Sequence, residues 1–412
     1  MSKLSNYLEL MIPNRYANSK QYLKINIAVF LIYFFSLSCQ NEVDDAKWVN
    51  QMPPYPDSLT LQKISSKELL LDSSTILKYE NFQYIENENS ILSYNSLNSE
   101  LVCFDYTSGE LKWKIDLKIF KIRPRNKGTI KPYSFHAISY DSIFFYDNIR
   151  SKVILFDTAK NVLKEYVVAS KMNSYSKGNP VMGEDLAVSS DSIYISSSPG
   201  GRNTSMMESP LNNNLFLSIS IKDGNSKPII RYPKIYRKAV WGTYSHISYS
   251  TYNPNHNKLV ISFPIDHNLS VYKTNGEIEL HYAGSIHVSK VNPLFFSAGN
   301  NIIKQKDEIL NTLTQRSYKA ILYDKYRNAY YRFVSSSIPK RDYELSQSSD
   351  YKVEPMSVII LNSDLIKVGE VPLDANKYSL ISMFISKEGV CIPLKKSNDD
   401  VIYFDVFKII RK

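Results

Sequence analysis

The sequence predicts an all-β protein, a six-bladed β-propeller closed by an N-terminal strand. Short runs rich in Ile, Val, Tyr and Phe recur along the whole chain, and no long stretch has the 3.6-residue period of an amphipathic helix. These runs return in the same order, four at a time. Residues 39–412 also exceed the roughly 250–300 residues that one hydrophobic core usually supports, so we expect the fold to grow by repetition.

Residues 1–38 are predicted to be a lipoprotein signal peptide. The apolar stretch 25–38 is shorter than the roughly 20 residues that span a bilayer as a helix. Its end, Leu37-Ser38-Cys39, resembles the lipobox of bacterial lipoproteins. The resemblance implies that Cys39 becomes the lipidated N-terminus, and two or more acyl chains suffice for stable membrane attachment. The alternatives are an ordinary signal peptide and an uncleaved anchor.

The residues after Cys39 indicate a location. Glu42, Asp44 and Asp45 follow it closely, and this resembles the acidic tag that directs Bacteroidetes lipoproteins to the outer face of the outer membrane. We therefore expect a lipid-anchored protein of the outer membrane, with exposure at the cell surface as one arrangement. Residues 39–60 contain Pro53, Pro54 and Pro56 and would form a membrane-proximal linker, and the propeller domain would span 61–412.

The first blade has the clearest repeat, with runs at 82–85, 90–94, 100–105 and 110–115. Between its third and fourth runs, the segment from Asp105 to Trp113 resembles the D-x-x-T-G-x-x-x-W repeat of quinoprotein-type propellers, with Ser108 in the place of Thr. The resemblance implies that Gly109 closes a hairpin and that Trp113 packs between blades.

Four further blades follow the same order. Their runs are 134–139, 142–146, 152–157 and 162–167 in the second blade; 185–189, 192–195, 215–220 and 228–231 in the third; 246–249, 258–263, 269–272 and 277–281 in the fourth; and 319–323, 329–334, 357–361 and 366–370 in the fifth. The main alternative, two β-sandwiches, fits less well because the order recurs without a linker-like break.

The sixth blade has only three runs, at 379–384, 389–392 and 401–405. An unpaired blade edge invites aggregation, and propellers commonly close the ring with a strand from the other terminus. Residues 67–77 are the expected donor. The whole chain resembles the uncharacterised six-bladed propeller lipoproteins of Bacteroidetes, a domain-of-unknown-function family. That resemblance implies a fold and a location but no catalytic residues.

The long connections are predicted to share one face. If the innermost strand comes first in each blade, connections between blades lie on the same side as those between second and third strands. The long segments are 118–132, 168–184, 197–214, 232–245, 283–317 and 335–353. Long loops on one side of a rigid scaffold are where binding is usually found.

Two of these segments are basic and contain no acid, and they provide the candidate binding residues Arg123, Arg125, Arg237, Trp241 and Tyr244. A cationic rim beside aromatic side chains suits an anionic glycan, or single-stranded nucleic acid by charge and stacking. The net charge of +10 agrees with an anionic partner. An envelope location makes nucleic acid unlikely. The alternative is that Trp241 and Tyr244 pack between blades and the cations are merely solvated.

Catalytic signals are weak. The six histidines show no H-x-x-H or H-E-x-x-H spacing, and there is no G-x-S-x-G motif, so we predict no metal, cofactor or catalytic residue. Cys103 and Cys391 lie in apolar runs and are expected to be buried thiols. The predicted function is a binding module for an anionic glycan or a partner envelope protein. The alternatives are a glycan hydrolase or lyase acting in the central funnel, and a scaffold of an outer-membrane complex.

Overall fold

The computed structural model describes residues 52–77, 80–120, 133–147, 150–168, 186–196, 214–237, 239–273, 275–294, 305–345, 353–398 and 400–412. These residues form six four-stranded antiparallel sheets, each of which is one blade. The predicted six-bladed propeller is therefore confirmed. Within the described ranges, no helix is long and apolar enough to cross a membrane.

The first five blades are consecutive in the chain. Strand β1 (Leu59–Leu70) precedes them. Blade 1 consists of β2 (Phe82–Ile85), β3 (Ser90–Asn95), β4 (Glu100–Asp105) and β5 (Leu111–Asp116), and blade 2 consists of β6 (Tyr133–Ser139), β7 (Ser142–Asp147), β8 (Lys152–Phe156) and β9 (Val162–Val167). Blade 3 consists of β10 (Ala187–Val188), β11 (Ser192–Ser196), β12 (Asn214–Ser220) and β13 (Ser226–Arg231), blade 4 consists of β14 (Tyr249–Asn253), β15 (Lys258–Ser262), β16 (Asn268–Lys273) and β17 (Ile278–Tyr282), and blade 5 consists of β18 (Tyr318–Asp324), β19 (Ala329–Val334), β20 (Met356–Leu361) and β21 (Lys367–Leu373).

Blade 6 contains β22 (Phe384–Ile385), β23 (Val390–Pro393) and β24 (Val401–Arg411), with β1 as its fourth strand. The first strands of neighbouring blades contact one another, β2 with β6, β14 with β18, β18 with β22, and β22 with β2. The innermost strand therefore comes first in each blade. Two short α-helices, α1 (Gln305–Leu313) and α2 (Lys340–Leu345), lie in long connections.

Apolar layers between the blades form the core. Blades 1 and 2 enclose one layer that includes Leu92, Leu101, Phe145 and Phe156, all fully buried. Trp113 packs against this layer, with its ring centroid 5.3 Å from that of Tyr140, as the repeat motif predicts.

Strand β1 closes the ring. It pairs antiparallel with β24 from Leu59 opposite Arg411 to Leu70 opposite Val401, and the sheet order is β1-β24-β23-β22. Closure by an N-terminal strand is confirmed, but the strand is residues 59–70 and not the expected 67–77. The first half of β1 is an outermost, largely exposed strand with several polar residues, so its sequence lacks the apolar pattern used to find it.

Part of the expected linker packs on the propeller. The Ser58 amide donates to Val368 O at 2.9 Å, the Lys412 amide donates to Ser58 O at 3.0 Å, and Asp57 pairs with Lys412 at 2.6 Å. Residues 57 and 58 thus lie against the start of β21 and the end of β24.

Asp405 holds the closing strands by charge. Its carboxylate is almost fully buried and pairs with Lys63 at 2.7 Å and with Lys377 at 3.0 Å. It also accepts hydrogen bonds from Ser66 and Tyr378, each at 2.8 Å. Although burial would raise the pKa of Asp405, these hydrogen bonds from Lys63, Lys377, Ser66 and Tyr378 lower it to about 2. Asp405 therefore stays ionised at the seam between β1 and β24.

Glycines allow close approach at the same seam. Gly109 has φ +75, and a Cβ at this position would lie 1.8 Å from Glu68 O of β1. A Cβ at Gly369 would lie 2.1 Å from Leu59 O, and one at Gly389 would lie 1.9 Å from Phe407 O. At these three glycines the backbone packs so closely against β1 or β24 that no larger residue fits.

We expect Gly109→Ala to lower the free energy of unfolding by about 3 kcal/mol or more, because the new methyl group collides with β1 in addition to straining the backbone. Gly276→Ala is the matched control. Gly276 has φ +91 but no atom within 4 Å of the added Cβ, so about 1 kcal/mol of backbone strain is the expected loss. Urea unfolding measures both variants. Equal losses would show that β1 does not press on Gly109.

Candidate ligand-binding surface on the loop face

The long connections define two unlike ends of the propeller. We call the end that carries connections between blades, and between second and third strands, the loop face. The structure describes 232–237, 239–248, 283–294, 305–317 and 335–345 of its longest segments. The opposite end carries short turns such as 86–89 and 325–328, and we call it the short-turn face.

The structure places the predicted site residues differently. Cys39, Arg123 and Arg125 lie outside the described residues. Arg237 is exposed at the end of a short 3₁₀ helix, Lys234–Arg237. Tyr244 belongs to a second 3₁₀ helix, Thr243–His246, and its side chain is outside the described part of the chain.

The burial of Trp241 contradicts the prediction that its ring stacks on a ligand. Its side chain is only 2% exposed, and its ring lies 6.3 Å from that of Tyr236, so no ligand at the surface can stack on it. The sequence places an aromatic residue beside basic ones but does not determine which of them points inward. Here the aromatic residue is part of the core.

Trp241 belongs to a buried aromatic cluster that supports the loop. Tyr236 is at its centre, with ring distances of 4.9 Å to Tyr232, 5.3 Å to His246 and 5.8 Å to Phe263. Tyr pairs of this kind contribute about 0.5–1.5 kcal/mol each beyond their buried area. The cluster fixes the segment from 232 to 246 on blade 4.

Hydrogen bonds complete this support. The Tyr232 hydroxyl donates to His246 O at 2.7 Å, and the Tyr236 hydroxyl donates to Ser245 O at 2.6 Å. His246 Nδ1 lies 3.0 Å from Gly242 O. Burial lowers the pKa of His246 to about 4, so this imidazole is neutral at physiological pH. The buried side chains of this segment are consequently uncharged, and they support the exposed side chains of the same segment.

Three exposed cations lie on this base, Arg231, Lys234 and Arg237, and we call them the basic rim. Residues three apart in a 3₁₀ helix lie on one side of it, so Lys234 and Arg237 share a side. None of the three forms an ion pair or hydrogen bond with a residue that the structure describes. Other surface lysines are paired, for example Lys114 with Asp72 at 2.7 Å. The charge of the basic rim is available to a ligand.

A buried arginine lies beneath the loop face. Arg332 of β19 is fully buried, and its guanidinium carbon lies 3.4 Å from the centroid of the Tyr318 ring. Burial lowers its pKa to about 10, so it remains protonated. It donates hydrogen bonds to Ser262 Oγ at 2.9 Å and to the carbonyl oxygens of Phe263 at 3.3 Å, Asp266 at 2.6 Å, His267 at 2.9 Å and Ala283 at 3.0 Å.

These five bonds use every N–H of the Arg332 guanidinium. They join blade 5 to the β15–β16 connection and to the chain that leaves β17, so they fix the position of blade 4 relative to blade 5. Sequence reasoning missed this residue. The available signal was one arginine inside the otherwise apolar run Ala329-Tyr-Tyr-Arg-Phe-Val334.

No group of three or more His, Cys, Asp and Glu side chains that could hold a metal ion occurs among the described residues. Both described cysteines are buried free thiols, as predicted, and burial raises the pKa of Cys391 to about 12. A thiol in that state is a poor nucleophile.

The described residues form a six-bladed β-propeller that carries the basic rim on its loop face. Residues 58–372 match the sequence profile of a family described as Domain of unknown function (DUF4221). The chain therefore belongs to the DUF4221 family, and the resemblance to Bacteroidetes propellers is confirmed.

The solved structure of a family member supports the fold, and two other structures share weaker similarity with the chain. A DUF4221 family member from Bacteroides vulgatus is 21% identical, with a TM-score of 0.69 over 87% of this chain and 100% of that one. A putative exported protein from Bacteroides fragilis is 14% identical, with a TM-score of 0.46 over 88% and 98% of the two chains. A streptogramin B lyase is 10% identical, with a TM-score of 0.42 over 87% and 100%. No curated protein has a matching sequence.

We expect Arg332→Lys to lower the free energy of unfolding by about 3 kcal/mol, because one ammonium group cannot serve acceptors arranged for a guanidinium. Hydrogen exchange should also speed up at residues 263–267. Arg237→Gln is the control, since an exposed arginine contributes little to folding, and its loss should stay below about 0.5 kcal/mol. A fully stable Arg332→Lys protein would contradict the assigned role.

Proposed function

We propose that the protein is a binding module of the cell envelope and that its loop face holds an anionic glycan. The observation that carries this proposal is the basic rim, three exposed cations without partners among the described residues, on a segment fixed by a buried aromatic cluster. A ligand that meets a rigid site loses less free energy to ordering it.

Charge supports an anionic ligand in particular. The whole chain has a net charge of +10, which raises the rate of encounter with polyanions. A glycan with carboxylate or sulfate groups presents repeated negative charges at the spacing of its sugars, so several can contact the rim at once. An acidic envelope protein would use the same cations, and it is the second outcome that the binding test distinguishes.

Membrane attachment through Cys39 is part of the same proposal. The chain enters the propeller at the start of β1, where residues 57 and 58 contact the end of β24 and the start of β21, next to the turns of the short-turn face. A lipid anchor N-terminal to this point would therefore join the propeller at the end opposite the loop face.

Changing Cys39→Ala should abolish labelling by a palmitate analogue and move the protein from the membrane fraction to the soluble fraction, because the thiol that would carry the lipid is gone. Cys103→Ala is the control, since its thiol is buried in blade 1, and its labelling should match wild type. Labelling that survives the Cys39 substitution would disprove the anchor.

The glycan proposal is tested with Arg231→Gln, Lys234→Gln and Arg237→Gln combined. We expect binding to a polygalacturonate and to a sulfated glycan to weaken at least tenfold, and wild-type affinity to fall as salt shortens the Debye length below about 8 Å. Isothermal titration calorimetry and a glycan array measure both effects.

The matched control combines Lys222→Gln, Lys408→Gln and Arg411→Gln. It removes the same charge from exposed residues of the short-turn face and of β24. If the two triple variants weaken glycan binding equally, the loss of binding is caused by net charge alone, and the proposed site is wrong. Capture of an acidic envelope protein, with no glycan bound, would assign the rim to a protein partner.

A further inference from the structure

Lys319 is a lysine in an unusual position. It is the second residue of β18, the innermost strand of blade 5, at the end of that strand nearest the loop face. Its side chain lines a small recess together with Ser245, Val291, Asn311, Thr312, Gln315 and Ser317. The recess has a volume of about 10 Å³, which is close to the space one water-sized group needs.

Lys319 has no counter-charge among the described residues. Its ammonium group forms no ion pair or hydrogen bond with any of them, although the residue is half-buried. Burial lowers the pKa of Lys319 to about 8, and no carboxylate of the described residues offsets this effect. A cation that is desolvated and unpaired destabilises the protein, so an anion that reaches it gains an interaction stronger than one at an exposed lysine.

The recess and the basic rim share one support. Ser245, which lines the recess, accepts the hydrogen bond of the Tyr236 hydroxyl through its carbonyl oxygen, and Tyr236 lies between Lys234 and Arg237 in the chain. One buried side chain, Tyr236, therefore connects the segment that carries the rim to the lining of the recess. The rim can hold any polyanion by charge, whereas the recess admits only one small group.

We propose that Lys319 binds one anionic oxygen, from a carboxylate or a sulfate group of the ligand held on the basic rim. The proposal rests on the proposed function and adds a selective contact to it. The rim would supply charge attraction that depends on salt, and Lys319 would supply a contact that distinguishes an acidic group able to enter the recess from one that cannot.

The groups around the recess allow the contact to be tested by pH. The titratable residues on the elements that surround it are His246, His287, Lys290, Lys306, Asp307, Glu308 and Arg316. Burial holds the pKa of His246 near 4 and lowers that of His287, so neither imidazole changes its charge between pH 7 and 9. Arg316 is paired with Glu354 at 3.1 Å. Loss of charge at Lys319 is therefore expected to dominate that interval.

The experiment observes Lys319 directly. Lysines of the full chain are methylated with ¹³C-formaldehyde, and the ¹³C signals are followed by NMR from pH 6 to 11. The Lys319 signal is assigned by its absence from Lys319→Arg, and exposed Lys234 serves as the internal control. We expect Lys319 to titrate near pH 8, and sulfate or galacturonate at constant ionic strength to raise its pKa by about one unit, since bound anion favours the charged form.

Comparing the two anions shows which chemical group of the ligand supplies the oxygen that Lys319 binds. A shift with galacturonate alone assigns the recess to carboxylates, a shift with sulfate alone assigns it to sulfate esters, and a shift with both assigns it to either. Titration of Lys319 together with the exposed lysines, or no shift with either anion, would overturn the proposal.

A binding measurement completes the test. Wild-type affinity for oligogalacturonate should fall about fivefold between pH 7 and pH 9 as Lys319 loses its proton, since a pKa near 8 that rises by about one unit on binding gives a change of that size. Lys319→Gln should weaken binding about tenfold at pH 7 and abolish this pH dependence, and Lys319→Arg should retain binding at pH 9. If only the Lys319 proposal fails, the rim variants still lose polyanion binding. If only the rim proposal fails, the Lys319 signal still shifts with sulfate.

Discussion

The pairing of β1 with β24 is the constraint on which the rest of the structure depends. These strands come from opposite ends of the described chain, and their pairing supplies the fourth strand of blade 6 and removes an open sheet edge. The contact is costly to form, because it closes a loop of more than three hundred residues. Asp405, held ionised between Lys63 and Lys377, and the close approach at Gly109 then fix the register.

A closed ring gives each blade two neighbours, and the loop face takes its rigidity from this. Arg332 transmits the constraint from blade 5 to blade 4 through five hydrogen bonds, and Tyr236 and its aromatic neighbours hold the adjoining segment. The basic rim lies outside that core. Exposed cations contribute little to folding, so their charge can serve a ligand without loss of stability. Lys319 differs from the rim cations, because burial lowers the pKa of its ammonium group to about 8.

The sequence was sufficient for the fold because each blade depends on apolar runs that repeat in order. The sequence was less informative at residues whose polarity does not reveal whether they are buried. Because the first half of β1 is polar, the sequence predicts the closing strand at 67–77, too far along the chain. For Trp241 the sequence leaves a ligand-binding and a packed position open, and the structure shows the packed one. Arg332 and Lys319 were missed because a single charged residue in a strand is usually solvated. A repeat that could have been found is Tyr-x₄-Asn, whose hydrogen bonds close the first turns of blades 1, 4 and 5 at Tyr84–Asn89, Tyr252–Asn257 and Tyr323–Asn328.

The central claim is that a rigid loop face binds anions while the short-turn face does not. Hydrogen-exchange mass spectrometry of the whole protein, with and without a polygalacturonate, tests it most directly. We expect slower exchange in peptides that cover 231–237 and 241–246, with no change at the turns 86–89, 325–328 and 386–389. Protection of those turns, or of neither region at a polyanion concentration that saturates binding, would show that the loop face is not the anion site.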